Sequence, residues 1–195
     1  LLITERSGQL ILFNPIDQTK TLIRNIPKVA YGGQGGLGDI VLHPEFAQNH
    51  QIYLSYAEAG QGGYGAVVIR ANLNLDQVQP QLDNLQTFLK QVPKVRGQGH
   101  YAHRMLFDGA GKLWISSGER QKFEPAQDLT SNLGKMIRLN DDGSVASDTP
   151  FQTQGDIAKQ IWRLGLRNPL ELALDAKKQL QIALKLSIKI FKRFS

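Results

Sequence analysis

The sequence contains no cysteine. This excludes disulfide bonds, thiol catalysis and cysteine-ligated metals, but it does not decide the compartment. It also lacks any run of 18 or more apolar residues, so we predict no membrane span. No initiator Met and no signal-peptide pattern stand at Leu1, inside the strand-like run LLITERSGQLILF. We therefore expect that a leader has been removed or that upstream sequence is missing.

Acidic residues are missing from the chain after Asp175. Removing the six basic residues that follow from the 23 lysines and arginines leaves 17, equal to the 17 acidic residues. The net charge of +6 therefore lies in one terminal strip, formed by Lys177, Lys178, Lys185, Lys189, Lys192 and Arg193. Nucleic-acid binding would instead need basic groups clustered on a folded face with aromatic partners, so we do not predict it.

Short apolar or alternating segments of about five residues, separated by Gly, Pro, Asn or Asp, predict an all-β chain. Only Asp83–Gln91 looks locally helical. A weak repeat aligns Pro44, Asp108 and Asp175, which lie 64 and 67 residues apart, each before a turn and an apolar strand. Such a period would hold a four-stranded blade with long loops, and three periods are too few to close a propeller ring.

The last segment alternates apolar and polar residues from Leu180 to Ile190, which is a strand pattern. It lacks turn residues and ends in KRFS. Three interpretations stay open: a strand at a blade edge, non-native sequence from a shifted reading frame, or a basic membrane-surface helix. The alternation disfavours the helix.

Three motifs suggest binding chemistry but have simpler structural explanations. Residues 33–38 match G-x-G-x-x-G, yet the segment after them is strand-like, so we predict a tight loop presenting Gln34 rather than a nucleotide site. The Asp141-Asp142-Gly143-Ser144 stretch lacks the spacing of an EF-hand and predicts a turn between Leu139 and Val145. Arg167 precedes Asn168-Pro169 and offers a donor fork for a carboxylate, although it could also tie two loops together.

The stretch GQGHYAHRMLFDGAGKLWISSGE places His100 and His103 just before a predicted hairpin turning at Gly109-Ala110-Gly111. The spacing predicts that the two imidazoles point to opposite faces, one into a pocket and the other into the protein. A zinc site is disfavoured because glycines and a strand surround the pair. A polar cluster at a strand mouth fits a reactive site, and it equally fits a well-bonded loop.

Four motifs in order, GQGGLGDIVLHPEF, GHYAHRMLFDGAGKLWISSGE, NLGKMIRLNDDGS and IWRLGLRNP, resemble soluble quinoprotein sugar dehydrogenases. This is the glucose/sorbosone dehydrogenase family, and the motifs are most similar to its aldose sugar dehydrogenases. The resemblance implies a six-bladed β-propeller, of which about three blades are present, and it makes the helical-looking segment Asp83–Gln91 a strand or a loop edge. It also implies pyrroloquinoline quinone, calcium, a periplasmic location, an external electron acceptor and oxidation of an aldose to its lactone. The resemblance further implies that full-length members can form homodimers.

The resemblance also implies site residues. His100 matches the family's catalytic base and Glu119 its acidic partner, while Gln34, Arg167 and Asn168 match cofactor-binding positions. Imidazole titrates near neutral pH, which suits a base at an anomeric hydroxyl. Arg167 is suited to stabilise charge on the quinone as hydride arrives, so we count it as catalytic as well.

Departures from the family pattern shape the domain prediction. His103 replaces a small residue and would partly fill the mouth, Leu166 replaces a polar residue, and Leu170-Glu171 replaces Gln-Gly. The following motif, which supplies calcium and quinone contacts, is absent. We therefore predict an incomplete, inactive dehydrogenase domain over residues 1–180 and an atypical tail over 181–195, with no metal ligands assigned. The alternatives are a non-catalytic propeller fragment or binding module, and a metal-dependent hydrolase on a similar propeller.

Overall fold

A computed structural model describes residues 1–76, 78–175 and 180–184. These residues form antiparallel sheets divided between two compact units. The first unit contains Leu1–Lys90 and Lys94–Gln98, and the second contains Gln91–Pro93 and the described residues from Gly99 onward. The short apolar or alternating segments of the sequence thus predicted the all-β class correctly.

The first unit holds two sheets. One is three-stranded, with β1 (Leu2–Glu5), β2 (Gln9–Phe13) and β3 (Lys20–Leu22) in chain order. The other is a four-stranded meander of β4 (Leu37–Leu42), β5 (Gln51–Gly60), β6 (Gly63–Asn74) and β7 (Gln81–Lys90), with the short helix α1 (Phe46–Asn49) between β4 and β5. Strands β5 and β6 supply most of the core, including Ile52, Leu54 and Val67, each without exposed surface. Burying each side chain contributes about 1.5–3 kcal/mol.

The second unit holds a four-stranded sheet and a two-stranded one. The four-stranded sheet has the order β11-β10-β9-β8, and β12 pairs with β13. The strands are β8 (Ala102–Phe107), β9 (Leu113–Ser117), β10 (Lys135–Leu139), β11 (Ile161–Arg163), β12 (Pro169–Leu174) and β13 (Leu180–Leu184), with 3-10 turns at Glu124–Ala126 and Ala158–Gln160. Strands β9 and β10 are buried along their whole lengths, so they form a stiff base for the loops at their ends.

The repeat seen in the sequence marks equivalent hairpins. Each aligned residue follows the end of one strand and precedes the strand that pairs with it. Pro44 lies between β4 and β5, Asp108 between β8 and β9, and Asp175 between β12 and β13. The turn predicted at residues 141–144 is also confirmed, because Leu139 and Val145 form an antiparallel bridge.

Two segments need separate comment. The helical appearance of Asp83–Gln91 is misleading, since β7 pairs antiparallel with β6 through Lys90. The strand predicted in the tail is confirmed for Leu180–Leu184, which pairs with β12. The rest of the predicted tail, residues 185–195, lies outside the described residues, and the boundary at residue 180 stays a prediction.

Asp108 closes the β8–β9 hairpin at its turn. Its Oδ1 accepts the backbone N–H groups of Ala110 and Lys112, both at 2.9 Å. Its Oδ2 accepts Trp114 Nε1 at 2.8 Å and Arg138 Nη2 at 3.0 Å. Burial alone would raise the pKa of this carboxyl, but the bonds from Lys112, Trp114 and Arg138 outweigh it and hold the pKa below its usual range. Charged hydrogen bonds of this kind are the strong ones.

We expect Asp108→Ala to lower the free energy of unfolding by about 2–3 kcal/mol, because it orphans several partly buried donors. Because the folded pKa is depressed, the contribution is complete above the unfolded value of about 4 and is lost as the pH falls through the folded value. Urea unfolding followed by tryptophan fluorescence measures this. Asp156→Ala, which removes an exposed ion pair with Lys159, is the matched control. Equal stability of the two variants would contradict the role of Asp108.

Candidate functional site

His100 and Glu119 meet at the open end of the β8–β9 hairpin. Ala102 pairs with Ser117, which brings the residues just beyond the two strands side by side. His100 Nδ1 is hydrogen-bonded to Glu119 Oε1, and the two side chains are 14% and 2% exposed. An imidazole with one nitrogen bonded to a buried carboxylate is held in one orientation by that bond. The structure brings this predicted pair into contact, and its catalytic role stays a prediction.

The Glu119 carboxylate is held in its ionised form by its bonds. Burial raises its pKa, but the hydrogen bonds from His100 and from the backbone N–H of Phe123 more than compensate, so the pKa lies below its usual range. The Phe123 N–H donates to Glu119 Oε2 at 2.6 Å. Both carboxylate oxygens are therefore engaged, one by the imidazole and one by the following loop.

The backbone around the pair adopts unusual conformations. Within residues 100–123, six non-glycine residues have positive φ: His100, Ala102, His103, Arg120, Gln121 and Phe123. Such backbone is costly for residues with a Cβ and persists only where the surroundings enforce it. Gly118 meets a different constraint, because a Cβ there would lie 1.9 Å from the His100 carbonyl oxygen. Only glycine allows this approach.

Arg167 and Asn168 lie beside the pair, directly before β12. The Arg167 carbonyl accepts the Glu119 N–H at 2.8 Å. The exposed Arg167 guanidinium lies 5.6 Å from the centre of the Phe123 ring. Asn168 Oδ1 is buried without a hydrogen-bond partner, and a Cβ added to Gly118 would lie 3.1 Å from it. The second unit therefore gathers four of the five predicted site residues.

Gln34 belongs to the first unit, in the tight loop that the glycines predicted. Gly32 and Gly35 form a bridge, and the Gln34 N–H donates to the Gln98 carbonyl at 2.7 Å. Gly33 has a φ of +54°, and a Cβ there would lie 2.6 Å from the same carbonyl oxygen. The loop is confirmed and exposes the Gln34 side chain. The convergence of Gln34 with His100 and Arg167 on one ligand stays a prediction.

His103 packs inside the second unit. It is 8% exposed, and its ring meets that of Tyr101 edge-on with centroids 6.2 Å apart. Burial, aided by the charges of Arg104 and Arg120, lowers the pKa of His103 to about 4. The imidazole is therefore neutral near pH 7. Within the described part of the chain, no group of three or more His, Asp or Glu side chains is placed to hold a metal ion.

Sequence reasoning missed three residues that support the pair. Gln91 is buried, and its Nε2 donates to Ser117 Oγ at 2.8 Å as well as contacting two carbonyl oxygens near Glu119. Arg120 is also buried, and it donates hydrogen bonds to the carbonyls of Gly99 and His100. Phe123 is 65% exposed although it is large and apolar. Of the three, only Phe123 carried a signal, as a lone aromatic in the polar run ERQKFEP.

We expect His103→Asn to remove an acid-sensitive step in stability, since Asn tolerates positive φ and does not titrate. The folded pKa is depressed, so the unfolded chain takes up the proton first and stability falls as the pH drops from 6.5 toward 4. Between pH 6.5 and 5 the wild-type loss is about 2 kcal/mol. Urea unfolding at stepped pH measures it. His50→Asn, at an exposed positive-φ position, is the control. A full acid-induced loss in His103→Asn would refute this assignment.

No helix within the described ranges is long and apolar enough to cross a membrane.

Comparison with known proteins identifies relatives over almost the whole chain. The sequence profile of the family described as "Glucose / Sorbosone dehydrogenase" matches residues 1–182. Aldose sugar dehydrogenase YliI of Escherichia coli K12 is 36% identical over 175 residues, which cover 90% of this chain and 47% of that protein. Quinoprotein glucose dehydrogenase B of Acinetobacter calcoaceticus is 25% identical over 201 residues, covering 88% and 40%.

Solved structures agree with these matches. The apo form of the soluble aldose sugar dehydrogenase of E. coli has a TM-score of 0.87 and 36% identity, covering 93% of this chain and 52% of that one. The PQQ-bound aldose sugar dehydrogenase of Streptomyces coelicolor has a TM-score of 0.82 and 26% identity, covering 94% and 52%. The chain thus spans about half the length of these relatives. The predicted fold class, part of a β-propeller, is confirmed by the similarity.

Proposed function

The chain belongs to the glucose/sorbosone dehydrogenase family, and from this premise we propose that it forms part of a quinone-dependent sugar dehydrogenase. The proposed reaction oxidises the anomeric hydroxyl of an aldose to the lactone, with pyrroloquinoline quinone as the hydride acceptor. The observation that carries the proposal is the His100–Glu119 pair beside Arg167. Calcium, an external electron acceptor and a periplasmic location belong to the same proposal.

His100 is the proposed general base. Its Nδ1 is engaged by Glu119, so Nε2 is the nitrogen that takes the proton from the anomeric hydroxyl. Glu119 orients the ring and stabilises the imidazolium that forms, which requires the carboxylate to be ionised. The bonds that lower its pKa meet this requirement. When bound, pyrroloquinoline quinone would supply the two-electron acceptor that the protein side chains lack.

The residues beside the pair fit an anionic planar cofactor. Arg167 presents an exposed guanidinium, whose donor fork suits a carboxylate or a quinone oxygen. Asn168 Oδ1 is an unsatisfied acceptor, which a donor on a ligand would complete. In the first unit, Gln34 offers a further exposed amide.

We expect the chain to bind pyrroloquinoline quinone, and Arg167→Ala to weaken the binding. Losing a charge-assisted bond of about 1.5–3 kcal/mol corresponds to a roughly 10- to 100-fold increase in Kd. Titration of the quinone with calcium present, followed by absorbance or calorimetry, gives both values. Arg163→Ala, on β11, is the control for loss of an exposed arginine. Absence of binding, or equal weakening in both variants, would count against the proposal.

Turnover is a separate expectation. The chain covers about half of its solved relatives, and we expect no dye reduction with aldoses from these 195 residues alone. Fusion to the remaining blades of a relative should restore turnover, and His100→Ala should then lower kcat by about 10²–10⁴-fold through loss of the base. Robust turnover by the chain alone would show that the other half is dispensable. Failure of the fusion to bind quinone would favour the alternative, a non-catalytic binding module.

A further inference from the structure

Arg120 is among the largest fully buried side chains of the described residues, at 1% exposure. Its Nε–H donates to the Gly99 carbonyl at 2.8 Å. Its backbone N–H donates to the His100 carbonyl at 3.2 Å. These two carbonyls belong to the peptide groups on either side of His100. One residue therefore holds the main chain before and after the proposed base.

The Arg120 guanidinium is itself fixed in place. Its central carbon lies 3.6 Å from the centre of the ring of Tyr101, which is 2% exposed. Burial lowers the pKa of Arg120, while Tyr101 and Glu119 act in the opposite direction. An arginine stays charged in proteins, so a fixed cation lies against the Gly99 carbonyl and the Tyr101 ring.

We call these two hydrogen bonds from Arg120, to the carbonyls of Gly99 and His100, the Arg120 clamp. The clamp matters because His100 has a φ of +50°. A residue with a Cβ relaxes out of this region unless neighbouring groups hold it there. Rotation of either flanking peptide would move the Cβ of His100 and carry the imidazole away from Glu119. The side-chain bond to Gly99 and the backbone bond to His100 oppose these rotations, and Arg120→Met removes the first of the two.

We propose that Arg120 is a positioning residue, which fixes His100 with Nδ1–H donating to Glu119 and leaves Nε2 as the basic nitrogen. The assignment of Nδ1 as the donor follows from the ionised carboxylate beside it, which only accepts. The use of Nε2 as a base rests on the proposed function. The orientation and tautomer of His100 do not depend on the proposed function, so they can be tested without measuring catalysis.

The chain contains an internal reference of the opposite tautomer. His43 Nδ1 accepts the Glu45 N–H at 3.0 Å and lies 2.8 Å from Asn49 Nδ2. An Nδ1 that accepts a hydrogen bond leaves the proton of a neutral ring on Nε2. His43 and His100 should therefore give opposite patterns in one nitrogen spectrum.

The experiment uses the 195-residue chain with 15N-labelled histidine at about pH 8, with long-range proton–nitrogen spectra assigning each tautomer. We expect wild-type His100 as a single Nδ1–H form and His43 as Nε2–H. In Arg120→Met, His100 should become a mixture of tautomers while His43 is unchanged, and Arg120→Lys should restore part of the Nδ1–H form. Lys122→Met, which removes a nearby exposed cation, should leave His100 unaltered.

An unchanged His100 tautomer in folded Arg120→Met would overturn the proposal, as would an Nε2–H form in the wild type. If both Arg120 variants fail to fold, the wild type decides through the Arg120 Nε–H resonance. A slowly exchanging proton with coupling to the Gly99 carbonyl supports the clamp, and a fast-exchanging one refutes it. Quinone titration of the same samples tests the proposed function separately. The predicted tautomer without quinone binding would refute the dehydrogenase proposal and would still support the positioning role of Arg120.

Discussion

The hydrogen bond between His100 and Glu119 is the interaction on which the arrangement of the site depends. A carboxylate that is 2% exposed is tolerated only when its oxygens are bonded. One oxygen takes the imidazole and the other takes the Phe123 N–H, which ties the following loop to the same group. The Glu119 N–H in turn holds the Arg167 carbonyl. The bonds of one buried residue, Glu119, therefore bring His100, the following loop and Arg167 together.

The β8–β9 hairpin carries a carboxylate at each end. The two carboxylates have different hydrogen-bond partners and therefore different roles. At the turn, Asp108 is saturated by backbone donors, Trp114 and Arg138, so it locks structure. At the open end, Glu119 accepts from a half-buried imidazole whose second nitrogen lies outside that bond. Strand β9 between them is buried throughout, which gives both clusters a rigid support. Side chains close to such a strand are held more precisely than side chains far out on loops.

Sequence reasoning reached this hairpin and its polar residues because they leave local signals. Glycines mark the turn at 109–111, short apolar segments mark the strands, and ordered motifs pointed to His100 and Glu119. Strand β7 left no such signal, since register shifts near Val68 and Arg70 of its partner β6 break the alternation. The low pKa of His103 and the bonds of Arg120 arise from burial among residues distant along the chain or in other loops. No local pattern reports them.

The backbone strain around His100 explains why buried hydrogen-bond donors such as Arg120 are needed there. Six non-glycine residues with positive φ in 24 positions cannot be maintained by local preference, because each opposes its own side chain. Where the chain leaves the sheet at this end, its carbonyls lose ladder partners and need other donors. Arg120 supplies one for Gly99 and Gln91 supplies one for Gly118, while the Tyr101 carbonyl, which still accepts the Gly118 N–H, receives a second donor from Gln91. The unusual backbone and the buried side-chain donors thus depend on each other. The strain directs the imidazole toward Glu119, and the donors prevent that strain from relaxing.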